Sequence, residues 1–197
     1  MNLALFDFDG TITQREMFAD FVRAAVSTRR RLAGALLFGP MLAGYKLGLV
    51  SANAIRASVV HFGFRGVPAD VVDEAGRRFA LDVLPAALRP DALARIRWHR
   101  QQGDRVMVVS GALDVYLAHW CRHHELDLLC SRLETRGGVL TGRYRGAQCV
   151  GAEKSRRIRE VLDLDEFPVI YAYGDTHEDL DMLRLAHRRY YRGQELA

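Results

Sequence analysis

The 197-residue chain is 49% hydrophobic and 26% charged, so it has enough apolar material to close a core and does not read as a disordered segment. Its net charge of +4 comes largely from short arginine runs, such as Arg29 to Arg31 and Arg188 to Arg189. No nucleic-acid motif interleaves them with aromatics, so they read as solvated helix faces. Cys121, Cys130 and Cys149 are odd in number and lack paired spacing, which excludes a disulfide framework or a cysteine zinc site.

Residues 3 to 8, Leu-Ala-Leu-Phe-Asp-Phe, form an apolar run closed by Asp9-Gly10-Thr11, the pattern of a buried strand ending in a turn. No basic leader and apolar signal core precede it, so a cytoplasmic location is expected. The segment from about Gln14 to Leu84 carries helical periodicity over 14–30, 51–62 and 68–84 and no convincing strand, which marks an insertion. Within it, residues 32 to 50 hold one charge, Lys46, and follow the arginine triplet. That pattern fits either the lining of a helical bundle or a surface that dips into an anionic membrane from its inner face.

Beyond the insertion, helical patterns at 91–102, 113–124 and 153–162 alternate with strand patterns at 104–110 and 168–173. The run around Gly137-Gly138 reads as a small hairpin. Alternating strands and helices predict an α/β fold, a Rossmann-like parallel sheet flanked by helices. The insertion forms a helical cap over the crevice at the strands' carboxyl ends. The expected division is a core of residues 1–13 and 86–197 and a cap of 14–85.

The polar strand ends carry the chemistry. Asp7 and Asp9 lie two apart, on one face of a strand, and two such carboxylates call for a divalent cation. Magnesium prefers carboxylate oxygen, and Asp175, Glu178 and Asp179 follow a second strand end where they can complete its coordination. Ser110 and Gly111, between a strand and a helix, offer a hydroxyl and backbone N–H groups to a phosphate, and Lys154 neutralises charge beside it.

The run Phe6-Asp7-Phe8-Asp9-Gly10-Thr11, with Val109-Ser110-Gly111, Lys154 and Gly174-Asp175-Thr176-His177-Glu178-Asp179, resembles the four motifs of the haloacid dehalogenase-like superfamily, in order and spacing. The early helical insertion is similar to the cap of its phosphoserine-phosphatase-like branch. The resemblance implies a phosphomonoester phosphatase in which Asp7 is the nucleophile, forming an aspartyl-phosphate, and Asp9 is the general acid and base. It implies that Mg2+ is held by Asp7, the Asp9 carbonyl and Asp175, with Asp179 in support. Ser110, Gly111 and Lys154 would hold the phosphate, and Thr11 would orient the loop at the substrate.

In the same branch a cap glutamate binds the ammonium of phosphoserine, and Glu16 stands at the matching distance. Arg56 is a candidate for the cap arginine that grips its carboxylate. Glu178 departs from the pattern, because those phosphatases carry an asparagine there. The stretch Asp9 to Phe18 is also similar to phosphatidylglycerophosphate phosphatases, which gives a lipid phosphate at a membrane surface as the alternative substrate. A phosphotransferase using the same intermediate is a further one. No nucleic-acid partner is expected, and His177 reads as a satisfied loop residue rather than a base.

Overall fold

Strand β1 (Leu3–Phe6) is buried along its whole length, and its side chains alternate between two cores. Ala4 and Phe6 face one apolar cluster with Val106, Val108, Tyr171 and Tyr173; Leu3 and Leu5 face a second with Met107, Val109, Ile170 and Ala172. A strand buried on both faces must be apolar at every position, which is why the sequence reads as a continuous run. The computed structural model describes residues 1–196, with side chains described at all positions but 35, 39, 40, 42, 43, 45 and 46.

In chain order the elements are β1, α1 (Phe18–Ala25), α2 (Thr28–Lys46), α3 (Ala52–Phe64), α4 (Ala69–Arg78), α5 (Pro90–Gln101), β2 (Arg105–Leu113) and α6 (Asp114–His123). The chain continues through β3 (Asp127–Ser131), β4 (Leu133–Arg136), β5 (Val139–Tyr144), α7 (Ala152–Val161), β6 (Ile170–Gly174), α8 (Leu180–Leu183), β7 (Arg188–Tyr191) and β8 (Gln194–Leu196). The main sheet has the order β3-β2-β1-β6-β7-β8, parallel except for β8. After β1 the chain builds β2 and β3 to one side and β6 and β7 to the other, so the strand order reverses at the carboxyl end of β1. Open α/β sheets bind their ligands in that crevice.

Residues of α5 and α6 such as Ile96, Tyr116 and Trp120 cover one sheet face, and Ile158 of α7 and Met182 of α8 cover the other. Phe6, Tyr173 and Tyr190 stack in a row across three strands, with ring centroids 4.2 and 4.7 Å apart. Each such pair adds about 0.5–1.5 kcal/mol beyond its buried area.

The insertion is α1 to α4, and its two ends are pinned together. Thr13 bridges Leu88, the Gln14 N–H donates to the Ala87 carbonyl at 2.8 Å, and the Arg89 N–H donates to the Ile12 carbonyl at 2.8 Å. A second attachment lies on the far side, where the turn between α3 and α4 pairs with the β4–β5 hairpin. Gly66 N–H donates to Leu140 O, Leu140 N–H to Val67 O and Ala69 N–H to Gly138 O, all at 2.8–2.9 Å. The hairpin turns at Gly137 and Gly138, both at positive φ, the backbone that tight two-residue turns require.

The structure departs from the sequence reading in several places. The single helix expected over 14–30 is two, because Val26 is extended (ψ 132°) and buried, its side chain against Gly63 of α3. The middle strand runs on to Leu113, past Ser110 and Gly111, and its register against β3 shifts between Ser110 and Leu113. Strands β3, β7 and β8 were not anticipated; β7 reads Arg-Arg-Tyr-Tyr, a pattern without the apolar run of an inner strand.

One buried polar cluster lies beneath the sheet's aromatic row. His99 donates from Nδ1 to Asp104 at 2.8 Å, and its Nε2 accepts from the Tyr173 hydroxyl at 2.9 Å. Burial holds the His99 pKa below its ordinary 6.5, against the pull of Asp104, so the ring is neutral in the fold. The unfolded chain therefore takes up a proton that the folded chain resists. This contribution to stability is complete above about pH 6.5 and is lost as pH falls below it. Thermal midpoints measured from pH 7.5 to 5 should fall more steeply for the native chain than for His99→Gln, and equal slopes would contradict the assignment.

Candidate active site

Asp7 leaves the end of β1 with its N–H donating to Tyr173 O of β6 at 2.9 Å, so the two strand ends are locked side by side. Lys154, in the first turn of α7, is 2% exposed and reaches across the second core, bridging Asp7 Oδ1 at 2.5 Å and Asp179 Oδ1 at 2.6 Å. Three charges without solvent hold together only because each is paired.

Asp179 Oδ2 accepts from the N–H groups of Asp175 (3.1 Å) and Thr176 (2.9 Å) and from the Thr176 hydroxyl (3.0 Å). This is a reciprocal capping arrangement that folds the Gly174–Asp179 loop back on itself. Asp179 therefore orients Lys154 and the loop while standing beside the metal position assigned to it.

Asp175 points the other way, its Oδ1 accepting from the Thr11 hydroxyl at 3.0 Å. Thr11 thus contacts the loop carboxylate. Gly10 makes room for this approach: it sits at φ +83°, and a Cβ there would lie 2.3 Å from Asp175 Oδ2. One carboxylate oxygen from each of Asp7, Asp175 and Asp179 lies within 4.8 Å of the others. An all-oxygen acidic set of this kind suits a small hard cation such as magnesium.

Asp9 is turned out of that cluster. Its Oδ1 accepts from Met17 N–H at 2.9 Å, at the start of the insertion. Burial, then the neighbouring Asp7, pushes its carboxyl up to about 8. Burial also raises Asp7, to about 7, against the Lys154 ammonium beside it. Burial works to raise Asp179 too, but Lys154 and the loop N–H groups outweigh it and hold that carboxyl below its usual range. Lys154 is held charged by its two carboxylates despite burial. The two aspartates do not share a strand face as expected, because β1 ends at Phe6 and Asp9 lies in the turn beyond it, and their environments separate them: one faces an ammonium and the acidic cluster, the other a backbone N–H.

Ser110 is buried, and its Oγ accepts from Ala112 N–H at 3.1 Å, which leaves the hydroxyl hydrogen free to donate to a ligand. A Cβ on Gly111 would come within 2.8 Å of Val150, so the strand can pass here only without a side chain.

These residues line a cleft of about 280 Å³ with Gln14, Phe18 and Thr176. At its outer end Arg56 of α3 donates to Glu16 Oε1 from Nε (3.1 Å) and Nη2 (2.5 Å), and its Nη1 lies 3.8 Å from Glu178. That Nη1 is buried with no hydrogen-bond partner among the described residues. Every residue assigned to the site from sequence, Glu16 included, lines this one cleft except Thr11, which borders its neighbour. His177 is exposed and lines neither. Arg89 and Thr176 belong to the site and were not anticipated; Thr176 was legible as the first residue of a Thr-x-x-Asp cap.

A family model described as haloacid dehalogenase-like hydrolase matches residues 4–184. Protein CicA of Caulobacter vibrioides is 33% identical over 192 residues, covering 96% of this chain and 85% of CicA. The fold is similar to that of a protein of unknown function from Bordetella pertussis (TM-score 0.77, 23% identity, 95% of this chain and 88% of that one). It is similar also to that of a substrate-bound phosphoserine phosphatase (TM-score 0.68, 21% identity, 96% and 85%).

Proposed function

Because the chain belongs to the haloacid dehalogenase-like hydrolase family, a nucleophile at the end of β1 is the premise, and we propose that it is a magnesium-dependent phosphomonoester phosphatase with Asp7 in that role. The observation that carries the reading is the different setting of the two aspartates that follow β1. Asp7 joins Lys154 and the acidic cluster, and Asp9 is held apart by Met17 N–H, facing the cleft. A halide leaves without a proton; an alkoxide needs one, and a second carboxyl lining the cleft, Asp9, supports the reading that it is the donor.

In this reading Asp7 attacks phosphorus and forms an aspartyl-phosphate while Asp9 protonates the leaving oxygen. Asp9 then takes a proton from the water that hydrolyses the acyl phosphate. Lys154 and the Ser110 hydroxyl bind phosphate oxygens, and the ammonium offsets charge gathering on the equatorial oxygens. Asp7, the Asp9 carbonyl and Asp175 would hold magnesium, which would supply the remaining neutralising charge. The α1–α4 insertion, residues 14–85, is the cap, and it contributes Glu16 and Arg56 to the leaving-group end.

Phosphoserine suits that end, with Arg56 for its carboxylate and Glu16 for its ammonium. Against it, Glu178 competes for the same arginine. A second reading is a lipid phosphate. It is favoured by the surface of α2, where Leu32, Leu36 and Leu37 are 65%, 85% and 61% exposed, next to Arg29 to Arg31; Leu47 and Leu49 beyond the helix are equally open. The opposite side of α2 packs on α3, Phe38 edge-on to Phe62. Among the described residues no helix is long and apolar enough to cross a membrane, so this reading is one of surface contact.

Phosphate release from phosphoserine, other small phosphomonoesters and phosphatidylglycerophosphate in detergent, each with magnesium and with chelator, tests both. Turnover is expected with magnesium only, and no turnover of any of them, an aryl phosphate included, overturns the phosphatase reading. On the lipid reading phosphatidylglycerophosphate is the best substrate and the protein co-sediments with anionic vesicles at low salt. Absence from the pellet removes that reading.

A further inference from the structure

Next to the catalytic cleft, sharing Gly10, Arg89 and Asp175 with it, lies a second and larger cavity of about 570 Å³. It borders Gly10, Thr11 and Asp175, and three arginines line it, Arg89, Arg95 and Arg192, against one further carboxylate, Asp91. None of the three arginines has a carboxylate partner within 4 Å among the described residues, in contrast to Arg56, Arg105 or Arg157. Arg89 Nε donates to Thr13 O at 3.0 Å and Arg192 Nε to Asp175 O at 2.9 Å, so each spends one N–H on a backbone carbonyl and keeps the rest of its fork. Arg95 rests on the faces of Trp98 and Tyr190, at 5.5 and 5.7 Å. A ring face orients a guanidinium but does not neutralise it. Tyr173 and Tyr190 supply an aromatic wall.

Three guanidinium groups around one recess, each with unspent donors, make a setting for an oxyanion, since the planar fork matches phosphate geometry. We infer that this cavity is a second anion site, adjoining the catalytic cleft, that takes a phosphate group, free or carried on a small organic molecule. Through Arg192 the bound anion acts on the carbonyl of Asp175, and so on the loop that carries a metal ligand. The inference does not depend on turnover, because two of the three guanidiniums, Arg95 and Arg192, lie outside the catalytic cleft.

The test is an amide-resolved NMR titration of the 15N-labelled full chain in chelator, with inorganic phosphate in one arm and phenylphosphonate in the other. The variant is Arg95→Glu, which touches neither catalytic loop and lies on an exposed helix face. Amides of Ala92, Arg192 and Gly193 are expected to shift in the native chain with at least tenfold weaker apparent affinity in R95E. Shifts at Ser110 and Gly111 should persist in both proteins, which also shows that the variant is folded. Cavity shifts with both probes assign the site to the free ion, and with phenylphosphonate alone to an organic phosphate. Shifts confined to Ser110 and Gly111, or cavity shifts unchanged in R95E, overturn the inference.

Discussion

Asp7→Asn is expected to leave a folded chain whose magnesium-dependent phosphate release is at background, a loss of about 10⁴-fold or more, as removal of a covalent nucleophile produces elsewhere. The amide keeps the shape of the side chain and an oxygen that accepts from Lys154, so the bridge to the core survives in outline. Lys154 also keeps its full ion pair with Asp179. Loss of turnover with a melting profile near that of the native chain would separate the chemical role of Asp7 from its structural one. Turnover within tenfold of the native rate would remove Asp7 from the nucleophile role.

Lys154→Met should damage both stability and rate. The thioether side chain fills the volume of the lysine stem but leaves Asp7 and Asp179 buried, close together and without a counter-charge. Breaking a buried ion pair from one side costs about 3–5 kcal/mol, and the urea midpoint should fall accordingly. The remedy is specific. A divalent cation among the same carboxylates replaces part of the missing charge, so magnesium should raise the thermal midpoint of Lys154→Met by more than it raises that of the native chain. An unchanged urea midpoint would mean that the triad carries no net stability, and an equal magnesium response would mean that the cation does not share its carboxylates.

Much of this architecture could be read before any coordinates because several residues signal on two levels at once. Asp7 and Asp9 sit where an apolar strand runs out, and the same i, i+2 spacing that places both at one strand end also brings two charges together. Ser110 and Lys154 are different. Each alone is an ordinary strand-end or helix residue, and only their order with the aspartates marks them. The distances in the triad were beyond reach, since Lys154 lies 147 residues from Asp7 in sequence and meets it through the packing of α7 against the sheet.

The break at Val26 was hidden for a similar reason. Local periodicity favours an unbroken helix, and the competing force is a tertiary contact with Gly63, 37 positions on. Strand β7 was hidden because its arginines and tyrosines are amphipathic and bury only part of each side chain, so no apolar run marks the edge of the sheet. Arg89 shows the opposite limit. Nothing in its neighbourhood announces a functional residue, and it comes to both cavities because the returning chain crosses Thr13 there.

The two attachments of the helical insertion have a mechanical consequence. A lid with one hinge swings freely, but this one is fastened at opposite margins, by the Thr13–Leu88 crossing and by the strut from the α3–α4 turn to the hairpin. Lifting it as a rigid plate breaks the three backbone hydrogen bonds of that strut together. At about 0.5–1.5 kcal/mol each, that is about a third of the stability of an ordinary domain. What borders the cleft without tying the insertion down is the Arg56–Glu16 pair, two side chains that no backbone attachment has to break to release.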